Sequence, residues 1–412
     1  MPKLDDGATI FDCIATASVN ILATFTTENL ATMMWAFEQL KVSSPQLFER
    51  VADNILRSDK LKSFKSHELA NIVWAYGRSD GWAKPLTTGR TLSHFLGKIV
   101  EHIVAFDKSQ LACWTIRDLA KVLVAFASTT VESKSDPLFQ KLATHFIGMP
   151  SNDFSPQDVA FILFAYAHAG NMDNKKLFLS MEKTAKSKVE SCNCQDLANI
   201  AWSYAVVNVP AASLFDFDFL RACLKQEDNF NEEWKSQIYQ WHLWQLELKS
   251  DIKLPLTTSY KFREAFIVQQ TSKPSPLISV LDDMGYHPAK AVPTPNGYFL
   301  DALVVIDTKD FGPKDFGIEI DREKRFTGSK PTGETVLRRR QITHLEGITL
   351  VSIPYWEWDK RANGKDPNQK QVYLRSLFEI DETNKKTKYA AMHQKRTDEP
   401  KVTSGHKIKV EE

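Results

Sequence analysis

The chain is poor in the features that define secreted, membrane-spanning or strongly nucleic-acid-seeking proteins. It has only five cysteines in 412 residues, an odd and sparse set that gives no disulfide framework. Cys192 and Cys194 lie two apart. No second Cys or His pair completes a zinc set, so they read as incidental thiols of a reducing compartment. No apolar run is long enough to span a bilayer, so no membrane role is expected. Net charge is almost nil, with 52 Lys and Arg against 51 Asp and Glu, which removes any global pull on phosphates. Residues 1–250 carry 25 basic against 28 acidic residues, and 251–412 carry 27 against 23. The N-terminus has Asp5, Asp6 and Asp12 and no arginine, the wrong chemistry for a transit peptide. Helical pattern begins almost at once, which predicts that the true start of the protein lies upstream.

What the chain does have is a refrain. It occurs at Glu28 to Phe37 (ENLATMMWAF), His67 to Tyr76 (HELANIVWAY), Arg117 to Phe126 (RDLAKVLVAF), Gln157 to Tyr166 (QDVAFILFAY) and Gln195 to Tyr204 (QDLANIAWSY). The shared alanines Ala31, Ala70, Ala120, Ala160 and Ala198 are spaced 39, 50, 40 and 38 residues apart. A period near 40 with helical pattern in each copy predicts a stacked array of helix pairs. Such arrays mostly bind extended partners rather than small substrates.

Each copy carries its own helix start. Thr115 and Asp118, Ser155 and Asp158, and Asn193 and Asp196 have N-cap-to-N3 spacing, and Pro156 fits the first helical position. The second copy departs, with Lys65 at the cap and Ser66 one residue late. Leu30, Met33, Met34 and Phe37 fall at i, i+3, i+4 and i+7 and form an apolar face. The small residues Ala36, Ala75, Ala125, Ala165 and Ser203 would let a neighbouring helix approach closely. Trp74, Val124, Phe164 and Trp202 share one slot, which reads as buried. A second helix per repeat is marked by Leu47-Phe48, Leu138-Phe139, Leu177-Phe178 and Leu214-Phe215. The long interval carries a Gly-, Pro- and Thr-rich insertion near Arg78 to Thr91, expected as a loop. Trp234 to Trp244 has aromatics on helical spacing and reads as a degenerate sixth copy. The expectation is therefore an α-solenoid of five to six helix pairs over residues 1–250.

The refrain leaves one polar stripe. Three residues before the shared alanine stand Glu28, His67, Arg117, Gln157 and Gln195. One residue after it stand Thr32, Asn71, Lys121, Phe161 and Asn199. These positions are i and i+4 and share a face. Their types vary from copy to copy while the core does not, as a repeat reading successive nucleotides would require. The plainer reading is a solvated helix face.

Past a break near Lys249 to Thr258, residues 251–295 read as a connecting segment, and the period then changes. Phe299 to Ile306 and Phe316 to Asp321 read as strands of a hairpin, with Thr308 to Asp315 as its turn. Glu334 to Leu345 reads as a helix stopped by Gly347, Ile348 to Ile353 as a buried strand, and Gln369 to Phe378 as a further helix. This predicts a small α/β or α+β domain over 296–380. From Asp381 to the end the chain is charged and poor in apolar residues, which predicts a disordered tail.

Phe299 to Ile306 (FLDALVVI), Gly317 to Asp321 (GIEID), Thr335 to Arg340 (TVLRRR) and Val351 to Trp358 (VSIPYWEW) resemble, in order and spacing, the RAP domain. The resemblance covers about residues 296–360. The repeats are similar to octotricopeptide repeats and to the leucine-rich region of FAST-kinase-like proteins, in which a repeat array commonly precedes a RAP domain. The resemblance implies an organellar RNA-binding protein, mitochondrial or chloroplast, acting in processing, stability or translation of an mRNA or rRNA precursor. Ribosomal or processing proteins are further partners it implies.

The RAP domain is thought to have a restriction-endonuclease-like fold, in which an Asp and a Glu-x-Lys strand bind a divalent metal. Asp301, Glu319 and Asp321 occupy comparable places and could hold a hard cation such as Mg²⁺. Asp321 stands where the lysine would be, and Arg322, Glu323 and Arg325-Phe326 replace the family's Gly-Pro and His-Phe. The competing reading is carboxylates that cap strands and pair with arginines, so no catalytic residue and no cofactor is assigned with certainty. Arg322, Arg325, Arg338, Arg339 and Arg340 are candidate phosphate contacts, and Tyr355, Trp356 and Trp358 candidate stacking groups. On the repeats the candidates are Asn71, Arg117, Lys121, Gln157, Gln195 and Asn199. The leading expectation is selective binding of single-stranded RNA, not catalysis. The alternatives are a metal-dependent RNA endonuclease and a protein-binding scaffold.

Overall fold

The computed structural model describes residues 9–78, 92–129, 135–270, 275–308, 312–362 and 368–378. The insertion expected near Arg78 to Thr91 and the tail expected from Asp381 lie almost wholly or wholly outside them. The chain forms two compact units. One is Met1–Thr271 with Arg322–Gln341, and the other is Ser272–Asp321 with Ile342–Glu412. The first therefore reaches beyond residue 250 and includes a segment expected to belong to the α/β domain.

The first unit is helical. It opens with α1 (Ile10–Ile21), α2 (Thr27–Gln39), α3 (Pro45–Arg57) and α4 (Ser66–Gly77). It continues through α5 (Leu92–Val104), the short α6 (Lys108–Ala112), α7 (Ile116–Ser128), α8 (Asp136–Ile147) and α9 (Pro156–His168). Then follow α10 (Lys175–Lys188), α11 (Cys194–Val207), α12 (Phe217–Lys225), α13 (Glu232–Glu247) and α14 (Leu256–Gln269). The refrain helices α2, α4, α7, α9, α11 and α13 pack in series, each on the next, and α14 packs on α13. The intervening helices form a second layer, where α1 meets α3, α5 meets α8 and α8 meets α10. This is a helical array with a refrain layer and a companion layer.

The helix starts follow the sequence. Thr26, Thr115, Ser155, Asn193 and Asn231 each accept the backbone N–H three residues on. In the second copy the Lys65 side chain does not cap. Instead the Glu68 carboxylate accepts the Lys65 N–H at 2.9 Å, the other half of the same device. Ala75, Ala125, Ala165 and Ser203 are fully buried, as close helix approach requires. At Gly77 a Cβ would stand 2.4 Å from the Ala125 carbonyl oxygen, so only glycine fits.

The Leu-Phe pairs have a defined role. The hydroxyls of Tyr76, Tyr166 and Tyr204 donate to the carbonyls of Phe48, Phe139 and Phe178 at 2.6, 2.6 and 2.7 Å. The same rings meet edge to face with centroids 5.0, 5.1 and 5.2 Å apart. Burial pushes all three phenols above their ordinary pKa, which keeps the hydroxyl a donor. In the first copy Phe37 stands in this slot and meets Phe11 edge to face at 5.1 Å.

The slot read as buried proves graded. Val124 and Trp202 are buried, Trp74 and Phe164 are half-buried, and Trp35 is 43% exposed. The slot lies at the margin of the helix contact, so its largest side chains extend beyond the core.

The second unit contains α15 (Leu277–Asp283), β1 (Ala289–Pro293), β2 (Phe299–Thr308) and β3 (Gly312–Asp321). The hairpin is longer than expected because β3 starts four residues early and shortens the turn. Next come β4 (Phe326–Thr327) and β5 (Lys330–Pro331), a two-stranded ribbon in the first unit, and α16 (Gly333–Glu346). The chain ends its described part with β6 (Thr349–Pro354), α17 (Tyr355–Ala362) and α18 (Gln369–Phe378). The larger sheet has order β1-β2-β3-β6, with β6 parallel to β3 and the other pairs antiparallel. Its core gathers Leu277, Leu281, Ala302, Val304, Ile306, Phe316, Ile318, Ile353, Trp358 and Leu374. The unit is a small α/β domain. The block Tyr355 to Trp358 is helical, and α14, α15 and β1 arise in a stretch read only as connecting chain.

Two measurements test this packing. Removing one hydroxyl, as Tyr166→Phe or Tyr204→Phe, should cost about 1 kcal/mol, the net worth of one hydrogen bond. Tyr166→Ala should cost about 3–5 kcal/mol, both read from urea melts.

Acid should weaken the fold through His242. Burial, aided by Lys253, pushes its pKa from 6.5 down to about 4, and its Nδ1 accepts the Leu254 N–H at 3.2 Å. The unfolded chain binds the proton first, so stability is full above 6.5, falls as pH drops towards 4, and then levels off. This group's share is about 3 kcal/mol. His102 and His145, also lowered by burial, add with the same sign. His242→Asn keeps an acceptor without a titrating proton and should flatten the acid limb in urea melts across this range.

Candidate nucleic-acid interface

The polar stripe divides along the array. In the middle copies it joins neighbouring helices. Arg117 Nε donates to Asp158 at 3.0 Å and Arg117 Nη2 lies 3.5 Å from Ser155 Oγ. Lys121 Nζ donates to Asn71 Oδ1 at 3.4 Å. Arg117 is exposed and Asn71, Lys121 and Gln157 are half-buried; of these, Arg117, Lys121 and Asn71 are partly occupied in holding one repeat to the next. Towards α11 the stripe opens into a groove.

That groove encloses about 440 Å³. Gln195, Asn199 and Phe161 of the stripe line it, as do Trp74 and Phe164 from the slot read as core. Helix ends complete it with Glu38, Gln39, Lys41 and Arg78 on one side and Asn231, Glu233 and Trp234 on the other. Glu38 organises the first group. Its buried carboxylate accepts from the Trp74 indole at 3.1 Å and the Gln39 amide at 2.8 Å, and pairs with Lys41. Arg78 Nε lies 3.7 Å from it, and the guanidinium lies 4.9 Å from the Trp74 ring centre, a cation–π contact. The refrain gave no notice of these helix-end residues. The available signal was the slot holding Trp35, Trp74, Val124, Phe164 and Trp202, whose size variation is greater than a sealed core tolerates.

The arginine run on α16 is largely structural. Arg340 Nε pairs with the buried Glu247 at 3.2 Å, Nη1 donates to the Val206 carbonyl at 3.1 Å, and Nη2 donates to the Ala205 carbonyl. It thus closes the C-terminal end of α11, where carbonyls lack helical partners. Arg338 is 6% exposed and donates to Gln270 at 2.9 Å. The expectation that Arg338 and Arg340 grip phosphate is corrected on this ground. Arg322, Arg325 and Arg339 are half-buried. Glycine fits this segment closely to the helices, since a Cβ on Gly333 would stand 1.9 Å from the Ala167 carbonyl oxygen.

In the second unit Trp358 is a core residue, 3% exposed, with Lys370 over its ring at 4.8 Å. It is therefore withdrawn as a stacking group. Tyr355 and Trp356 are half-buried and meet edge to face at 5.1 Å. Asp301 accepts the Ile320 N–H at 2.9 Å, and Asp321 accepts from Ser352 Oγ. Glu319 and Asp321 are buried on the face of β3 opposite Ile318. Among the described residues no three His, Cys, Asp or Glu side chains are grouped to hold a metal ion, so the expected grouping of Asp301, Glu319 and Asp321 as ligands is corrected. Strand-fixing hydrogen bonds account for two of the three. The cysteines are free thiols, and burial pushes Cys192 up to about 12, far from a metal-binding thiolate. Among the described residues no helix is long and apolar enough to cross a membrane.

No protein-family model matches the chain, and no curated protein matches it.

Arg340→Ala should remove the ion pair to Glu247 and both hydrogen bonds to the α11 carbonyls, and cost about 3–5 kcal/mol of stability, as breaking a buried pair does. Calorimetry would read this. Arg322→Ala, by contrast, should leave the melting temperature nearly unchanged.

Proposed function

We propose that the chain is an RNA-binding protein of the octotricopeptide-repeat and RAP kind, acting on organellar RNA in processing, stability or translation. The observation that supports this reading is the groove along the refrain helices. It offers rings for stacking (Trp74, Phe161, Phe164, Trp234), amides for base edges (Gln195, Asn199, Asn231) and two cations at one rim (Lys41, Arg78). Unpaired bases present both faces and edges, which duplex RNA withholds. The sparse positive charge suits selective binding more than a nonspecific hold on phosphates. In the RAP-like region Arg322, Arg325, Arg339, Tyr355 and Trp356 remain as additional RNA contacts. Among the described residues the nuclease alternative has no grouping of metal ligands behind it.

The test compares labelled single-stranded RNA with the matched duplex by fluorescence anisotropy. Single strands should bind about tenfold or more tightly, consistent with stacking worth about 1–3 kcal/mol per base. Trp234→Ala should remove that amount. Lys41→Ala and Arg78→Ala should each lower the slope of log K against log salt by about 0.7. Equal affinity for both forms would sink the proposal. Cleavage of bound RNA with Mg²⁺, abolished by Glu319→Gln, would return the nuclease to first place.

A further inference from the structure

A second cavity of about 390 Å³ adjoins the groove, sharing Phe164 and Glu233 with it. One wall is a platform of three rings. Phe164 and His168 on α9 stack at 5.2 Å and 18°, and Trp202 on α11 lies 5.4 Å from Phe164 and 6.2 Å from His168. Trp202 is tilted by 37° to Phe164 and 42° to His168, so the three rings form one continuous aromatic wall. Burial holds the His168 ring below the ordinary imidazole range against the pull of Glu334, which keeps the platform neutral.

The rest of the lining is rich in acceptors. Glu233 and Glu334 contribute carboxylates, and no Lys or Arg is among the lining residues. Gln237, 8% exposed, lines the cavity, and its buried side-chain oxygen has no hydrogen-bond partner among the described residues. A buried acceptor left unmatched is costly. The cavity therefore repels phosphate and suits a flat ring that carries donors.

We propose that this cavity takes one unpaired guanine base, packed against the aromatic wall of Phe164, His168 and Trp202 and read by Glu334. Guanine presents two adjacent donors, N1–H and the 2-amino group, which match the two oxygens of one carboxylate as charge-assisted hydrogen bonds. Adenine and cytosine present one amino group beside an acceptor. Uracil presents one N–H between two carbonyls that a carboxylate repels. The unmatched Gln237 oxygen supplies a further acceptor on the same wall. The natural ligand rests on the RNA reading above, with a strand in the groove turning one base aside past Phe164. The cavity itself does not depend on that reading.

Free nucleosides separate the two, because they lack the phosphate that groove cations would hold. Full-length protein is titrated with guanosine, inosine, adenosine, cytidine and uridine by calorimetry, with tryptophan fluorescence as a second readout. Guanosine should bind about tenfold or more tightly than the others, inosine losing the share of one charge-assisted hydrogen bond. Glu334→Gln, at an exposed first-turn position, should remove the preference and leave the melting temperature in place. Phe164→Leu should weaken all nucleosides alike. Binding of agmatine in preference to guanosine would overturn the proposal in favour of a cationic side chain. No guanosine binding at millimolar concentration, with single-stranded RNA still bound, would overturn it and leave the RNA reading intact. Glu334-dependent guanosine binding without RNA binding would support the cavity and sink the RNA reading.

Discussion

The hydrogen bond from a refrain tyrosine to the carbonyl of a Leu-Phe pair sets the geometry of the helical unit. Tyr76, Tyr166 and Tyr204 each reach one fixed carbonyl on the preceding helix. The distance and the edge-to-face ring contact fix both the rotation and the height of that helix on its refrain partner. A buried hydroxyl must find an acceptor, and in all three copies the Phe carbonyl of the preceding helix supplies one. With the two layers locked in this way at α4, α9 and α11, the same face of these refrain helices turns the same way. The groove follows from that regularity. Residues at one repeat position, far apart in the chain, are brought side by side.

The periodic parts of this architecture were legible in the sequence. The refrain marked the helices, the Ser, Thr, Asn and Asp residues marked their starts, and the small residues marked where helices meet. The hairpin, α16, β6 and α18 were likewise visible as changes of period. What escaped was set by tertiary context. The segment 251–295 has no refrain, yet α14 packs on α13 and α15 enters the core of the α/β unit. The arginines of α16 look like a phosphate-binding run in one dimension. Only the fold places Arg340 against Glu247 and the free carbonyls of α11. Local spacing cannot show a contact across 93 residues.

The candidate interface was legible only in part, for a related reason. A side chain at the margin of a helix contact belongs to the core or to the surface according to how its neighbours curve away. Trp202 is buried, whereas Trp74 in the same repeat position is half-buried beside Arg78. Polar stripe residues divide similarly: Arg117 and Lys121 tie repeats together, while the half-buried Gln195 and the buried Asn199 line the groove. Residue type alone carries both outcomes.

The first unit is not one stretch of chain, because Arg322–Gln341 belongs to it. Arg340 and the close seat of Gly333 are part of how its helices end. On the ribosome, α11 and Glu247 therefore emerge long before the side chain that completes them. The helical unit reaches its final form only after the hairpin of the other unit has been made. Synthesis is ordered accordingly: the repeats gather first, the hairpin is spun out, and the returning segment closes the helix ends last. A protein cut at residue 271 would keep every refrain and still lack its closure.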